Sequence, residues 1–344
     1  MEFGRTDEHV QLAESERSWL LRHDPITRLR AELDAAAIGV DPVAVKHAAE
    51  SGLLALLTEE IGGTQPDLAV LSEAHGYAAS SLPLADLAIA NRLLEQADVA
   101  GQQADGAQLV GVASGPEGAV HGDVLVVQGT TTPVPMTTDL AGIAVIGTTR
   151  DGAEYLAIVR DAVVAPMSTL DLTRSWARCE IDVTLTADRW TTLPSGTVGQ
   201  VFDSLAVHRA LDSIGAAARL LDMTVTYAGQ RRQFGVPIGS FQAVKHHCAD
   251  MALRVEAGRE VLWAAALSLD VEDAGARTRA VSSASAYAKS AASFAAGIAL
   301  QVHGGIGFTW EHDLHLFLRR IKVDEAVDGT VAFHRARSSA CLIA

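Results

Sequence analysis

Cysteine is scarce in this sequence and nowhere paired. Three stand among 344 residues (Cys179, Cys248 and Cys341), odd in number, widely separated and without a CxxC. That excludes a disulfide framework and fits the reduced thiols of a cytoplasmic protein, which is the expected location. Positive charge is short too: 27 Lys and Arg face 42 Asp and Glu, for a net charge of −15. General nucleic-acid binding rests on a basic surface and is excluded on this balance; an anionic small ligand held by a few local arginines is not. Long apolar runs are missing. The opening MEFGRTDEHVQLAESERSWL carries acids where a secretory leader carries an apolar core, so no leader is expected. No window approaches the roughly 20 apolar residues of a membrane span. The weakly polar stretch from Ser282 to Val302 is interrupted by Lys289 and reads as a buried bundle helix. Aromatics make up only 5 %, and alanine dominates the apolar fraction. With 49 % apolar and 20 % charged residues the chain is globular, and small, strong helix formers predict closely packed helices.

Periodicity divides the chain into three. From Asp7 to about Ala100 it is helical, with Trp19 to Leu21, Leu29, Leu33 and Ala37, then Val43, Val45 and Ala49, at helical spacings. Gly62-Gly63 and Pro66 break the pattern, which resumes in LAVLSEAHGYAASSL and LADLAIANRLLEQA. From 108 to 198, Val, Thr and Gly come in short bursts (DVLVVQG, IAVIGTT, YLAIV, CEIDVTLT, RWTTL), the signature of an antiparallel barrel or sandwich. From 199 to 344 helix returns. Leu205, Leu211, Ile214, Ala218 and Leu221 mark the buried stripe of a first helix, and Phe241, Val244, Cys248, Met251 and Val255 that of a second. Ala274 to Val302 and Val331 to Leu342 supply two more, predicting a four-helix bundle. The expected units are thus 1–107, 108–198 and 199–344, an α+β architecture.

Two stretches of the last unit carry chemistry: YAGQRRQFGVPIGSFQAVKHHCADM (Tyr227 to Met251) and QVHGGIGFTWEHDLHLFLRR (Gln301 to Arg320). A guanidinium fork matches phosphate geometry, and glycines admit close backbone approach. Taken alone, Arg231 and Arg232 are equally well solvated helix-end charges, and Gly304-Gly305 a helix cap. Found together, the two stretches closely resemble the C-terminal domain of acyl-CoA dehydrogenases. EEIGGTQPDLAVLSEAHGYAASSLPLADL resembles the N-terminal part of the same family, so the likeness spans nearly the whole chain. The resemblance implies an acyl-CoA dehydrogenase-like fold, with an N-terminal helical domain, a middle β domain and a C-terminal four-helix bundle. It implies FAD as cofactor, an acyl-CoA substrate and an electron-transferring flavoprotein as acceptor. By the same resemblance Arg231 reaches the FAD pyrophosphate across a subunit boundary. Phe234, Gln242, Gln301, Gly304, Gly305 and Thr330 are further FAD contacts, and Arg209 lies near the thioester.

In the family a carboxylate removes the α proton while the β hydrogen leaves as hydride to the flavin. Counting from Arg319-Arg320 places Asp328, in AVDGTVAFHR, where the commonest branch carries its catalytic glutamate. Aspartate is one methylene shorter, and read from the residues alone it is a helix N-cap. A second branch takes its base from the first bundle helix, where this chain has His208, with Asp212 one turn on. The Thr-Glu-Pro-Gly-Ser-like loop and Trp-containing strand that line the flavin in active homotetramers are missing. Trp176 and Trp190 stand elsewhere, as packing residues. The chain therefore resembles the short bacterial subunits of heteromeric steroid side-chain acyl-CoA dehydrogenases. The expectation is one subunit of an α2β2 enzyme whose partner supplies the glutamate and the flavin cradle. A self-sufficient homo-oligomer using Asp328 and a non-catalytic structural subunit are the alternatives. A metal site built from His246-His247-Cys248-Asp250 or Glu311-His312-Asp313-His315 is disfavoured, because neighbours on a helix point apart.

Overall fold

A computed structural model describes residues 4–23, 26–33, 38–98, 108–135, 139–160 and 162–341. Ala37, Ala100, Leu342 and the expected boundary at 107 lie outside them. The N-terminal helices are α1 (Asp7–His23), α2 (Ile26–Glu32), α3 (Pro42–Glu50), α4 (Gln65–Ala78) and α5 (Leu84–Gln96). Local chemistry fixes their starts. Asp41 caps α3 by accepting from the Val43 amide with Pro42 in the first turn, and Thr64 and Asp67 form a reciprocal capping box on α4. The Gly62-Gly63/Pro66 break is thus a true helix boundary.

Nine strands follow among the described residues: β1 (Val110–Ser114), β2 (Gly118–His121), β3 (Val124–Thr130), β4 (Val134–Pro135), β5 (Gly142–Thr148), β6 (Glu154–Val159), β7 (Val163–Met167), β8 (Trp176–Leu185) and β9 (Trp190–Leu193). They form two sheets, ordered β1-β5-β6-β9 and β2-β3-β8-β4, with β7 on the other side of β8. The expected all-antiparallel pattern fails at one place, where β1 and β5 run parallel from Val110↔Gly142 to Ser114↔Ile146. The first sheet is covered on both faces. Ala144, Ile146, Leu156 and Ile158 pack on the N-terminal helices, while Ile143, Val145, Tyr155 and Ala157 meet the second sheet. That double burial is why β5 reads as a continuous apolar run instead of an alternating one.

The bundle comprises α6 (Thr197–Gln230), a short β10–β11 hairpin (Arg232–Gln233, Val236–Pro237), α7 (Gln242–Ser268), α8 (Ala274–His303), α9 (Leu314–Asp324) and α10 (Val331–Ala340). The helix α9 was not expected; it begins inside the second motif and runs on past its end at Arg320. Alanines 284, 288, 291, 292, 295, 296 and 299 line the buried face of α8 and let its neighbours approach closely. By length and composition α8 could cross a membrane, but it carries buried Arg277 and Lys289 and packs among α6, α7, α9 and α10. The stripe expected on α7 is half right. Met251 and Val255 are buried, whereas Phe241 is exposed and the first turns of α7 lie bare. Where α4 crosses α6, Gly76 and Gly215 sit against opposing backbone: an added Cβ would stand 1.9 Å from the Asp212 carbonyl oxygen or 2.0 Å from that of Glu73.

Candidate functional site

The motif residues separate into an inner and an outer group. Asp328, Arg209 and His208 belong to the inner one. Arg209, on α6, donates to both oxygens of Asp328 (2.9 and 2.7 Å) and to Asp86 of α5, beneath the ring of Trp176. Burial works against its charge, but the two carboxylates outweigh this and raise its pKa. One turn on, Asp212 accepts from Arg174 (2.9 Å) and from two nitrogens of Arg320 (both 2.7 Å). Burial opposes its ionisation, yet Arg174 and Arg320 hold its pKa down at about 2. Asp324, buried close by, shifts the other way: burial and the charge of Asp212 raise its pKa well above the carboxylate range. The cavity lined by Asp86, Arg174, His208, Arg209 and Asp212 has a volume of about 10 Å³, at the lower limit for a single water. It is a cleft filled with its own ions.

This arrangement corrects several expectations. Asp328 is not an N-cap: it adopts a left-handed backbone conformation (φ 55°), and Thr330 caps α10 by accepting from the Phe333 amide. The Asp328 carboxylate is engaged through both oxygens by Arg209. His208 is fully buried, bonded to Ser72 (3.2 Å) and Gln65 (2.7 Å), and burial depresses its pKa to about 3, so it is a core residue and not a base. Arg209, expected near a thioester, has its fork committed to two carboxylates. Trp176 is buried packing, and the partly buried Trp190 donates to the Asp123 carbonyl. The sequence reading missed Asp86, Arg174, Arg320 and Asp324. The one available signal was two adjacent arginines inside the amphipathic run LHLFLRRIKVD.

The outer group gathers at one end of the bundle, where Tyr227 of α6 stacks on His303 of α8 with ring centroids 4.6 Å apart. Arg231 ends α6, and its guanidinium makes no hydrogen bond or ion pair among the described residues. The hairpin that follows turns through Phe234 (φ 51°) and Gly235 (φ 80°). A phenylalanine at positive φ is strained, and this one is 92 % exposed. Gln242 opens α7, Gln301 lies in the last turn of α8, and both are exposed. Gly304 turns the chain out of α8 (φ 60°, ψ −137°), and a Cβ on it or on Gly305 would meet nothing within 4 Å. Phe308 (76 % exposed), Trp310 and Ile306 add apolar surface nearby. Strain, bare cation and bare aromatics coincide here. A groove of about 360 Å³ between α1, α4 and α7 is larger than the cleft, but none of the residues expected at a catalytic, cofactor or substrate site lines it.

The C-terminal part, residues 197–342, matches the family model "Acyl-CoA dehydrogenase, C-terminal domain". The chain is 32 % identical over 325 residues to acyl-CoA dehydrogenase IpdE2 of Mycolicibacterium smegmatis, covering 92 % of each. It belongs to the acyl-CoA dehydrogenase family. The family's enzymes are oxidoreductases acting on the CH–CH bond of acyl-CoA. IpdE2 of Mycobacterium tuberculosis is likewise 32 % identical, over 91 % of each chain. Two solved structures share the fold: the ChsE4-ChsE5 complex of Mycobacterium tuberculosis and the Tcur3481-Tcur3483 steroid ACAD G363A variant. The first superposes with a TM-score of 0.89 at 22 % identity, covering 100 % of this chain and 99 % of that one. The second gives 0.86 at 24 % identity, covering 98 % of each.

Membership of the acyl-CoA dehydrogenase family implies FAD, and the two groups of residues fit it differently. The outer group fits a diphosphate: a free guanidinium, an exposed amide side chain and glycine backbone open to approach. The inner cleft does not fit a flavin ring, since about 10 Å³ is open there.

Proposed function

We propose that this chain is one subunit of a heteromeric acyl-CoA dehydrogenase that completes a flavin site on a partner while its own cleft stays closed. The partner would be a second acyl-CoA dehydrogenase-like chain that brings the catalytic glutamate, in an α2β2 assembly. Arg231, Gln301 and the backbone at Gly304 and Gly305 would hold the FAD pyrophosphate, with Phe234 and Gln242 beside it. Bound there, FAD supplies the hydride acceptor for α,β-dehydrogenation of a CoA thioester. The observation that carries this reading is the contrast between the committed Asp328 carboxylate and the uncommitted Arg231 guanidinium. The likeness to the Tcur3481-Tcur3483 steroid ACAD supports a steroid-derived acyl group as substrate class. By family resemblance, an electron-transferring flavoprotein would reoxidise the flavin.

The test co-expresses the chain with a candidate partner and compares two variants in the purified complex. Arg231→Ala is expected to lower flavin retention at least tenfold. Asp328→Asn is expected to leave turnover within about threefold of wild type once stability is matched. Abolished turnover with full flavin in Asp328→Asn would instead establish a self-sufficient enzyme with Asp328 as base.

A further inference from the structure

We propose that Lys289 is a positioning residue, the internal pin that shapes the α9–α10 turn and so delivers Asp328 to Arg209. Lys289 projects from the middle of α8 and is almost wholly buried. Its ammonium donates to three main-chain carbonyls, those of Asp324 (2.8 Å), Val327 (2.5 Å) and Gly329 (2.9 Å). An ammonium has three donors, and all three are used. Asp324 closes α9, so its carbonyl lacks an intrahelical donor, and the Val327 and Gly329 carbonyls lie in the turn beyond it. The segment they belong to is otherwise costly. Asp328 and Gly329 are consecutive left-handed residues, at φ 55° and 97°, and the first is not glycine.

The turn is therefore held twice, by its backbone through Lys289 and by the Asp328 side chain through Arg209. Neither hold replaces the other. The ammonium fixes where the main chain runs, and that path decides whether the Asp328 carboxylate reaches the guanidinium. The charged and titratable groups around Lys289 are Asp324 and Glu325 at the end of α9, Asp328 in the turn, Arg209 on α6 and His334 on α10. Burial lowers the lysine's pKa, while Asp328, Asp324 and Glu325 partly restore it. This inference does not depend on which subunit supplies the base. A pinned turn is required equally if Asp328 closes the cleft or if it works in it.

The experiment is a double-mutant cycle on the full chain, reading thermal midpoints of Lys289→Met, Asp328→Asn and the double variant. Lys289→Arg serves as the conservative replacement. If Lys289 acts through the turn, Asp328→Asn lowers the midpoint in the wild-type background but by less than half as much in the Lys289→Met background. Local hydrogen exchange is expected to rise at least tenfold in segment 325–334 of Lys289→Met, with α6 unchanged. Lys289→Arg is expected to recover most of that protection. Additive midpoints, or exchange that rises equally through the whole bundle, would show a lysine that merely fills space and would overturn the proposal.

Discussion

A single buried ion can be read correctly only with its neighbours. Asp328 and His208 are each plausible bases by type and position, and each is taken out of service by its surroundings. The pair Arg209–Asp328 is formed between residues 119 apart in the chain. Sequence spacing carries no trace of such a contact, nor of Asp86 on a different helix. His208 leads to a prediction about acid stability. Its pKa is near 6.5 unfolded and about 3 folded, so between these values the unfolded chain binds a proton that the folded chain refuses. Stability must fall as pH drops through that window, by up to about 5 kcal/mol from this residue. Asp324, whose pKa burial and the Asp212 charge raise in the folded chain, contributes with the opposite sign as pH falls. The informative quantity is therefore a difference. Denaturant midpoints at pH 7 and pH 4.5 are expected to separate less in His208→Gln than in wild type, and an equal separation would contradict the assignment.

Elements were more legible than residues, for identifiable reasons. The helices of the first segment and the strands DVLVVQG, IAVIGTT and YLAIV stand where their periodicity places them, because each buries a face against its neighbour. Pattern alone could not show that β1 and β5 run parallel, since apolar runs do not encode direction. Nor could it show Phe241 exposed: an apolar residue in a helical stripe reads as core whether its cover is the same chain or another. The crossing of α4 on α6 was also hidden, because Gly76 and Gly215 are unremarkable inside helical sequence. Their role appears only where backbones touch. Gly215→Ala must push the helices apart at the Glu73 carbonyl, and a loss of about 3 kcal/mol is expected from such overpacking. Urea unfolding of the variant measures it. An unchanged midpoint would mean that the crossing tolerates a methyl group and is looser than described.

At the scale of the whole molecule the chain is asymmetric in what it has kept. The interior of its cleft is a set of four acids and three arginines, Asp86, Asp212, Asp324 and Asp328 with Arg174, Arg209 and Arg320, in mutual contact or close by. Breaking such a buried network by removing one partner is expensive, so the cleft does not open easily to a flavin or a thioester. The far end of the bundle is the reverse, with a strained hairpin, a guanidinium unpaired among the described residues and exposed phenylalanines. Family membership was legible in the sequence because the two motifs stand in family order. The closure of the cleft was not, because it depends on side chains from five separate elements. Flavin stoichiometry measures the division of labour most directly. Absorbance at the flavin band, divided by chain concentration, is expected to be near zero for this chain purified alone and one flavin per pair of unlike chains for the complex. One flavin bound per copy of the lone chain would contradict it.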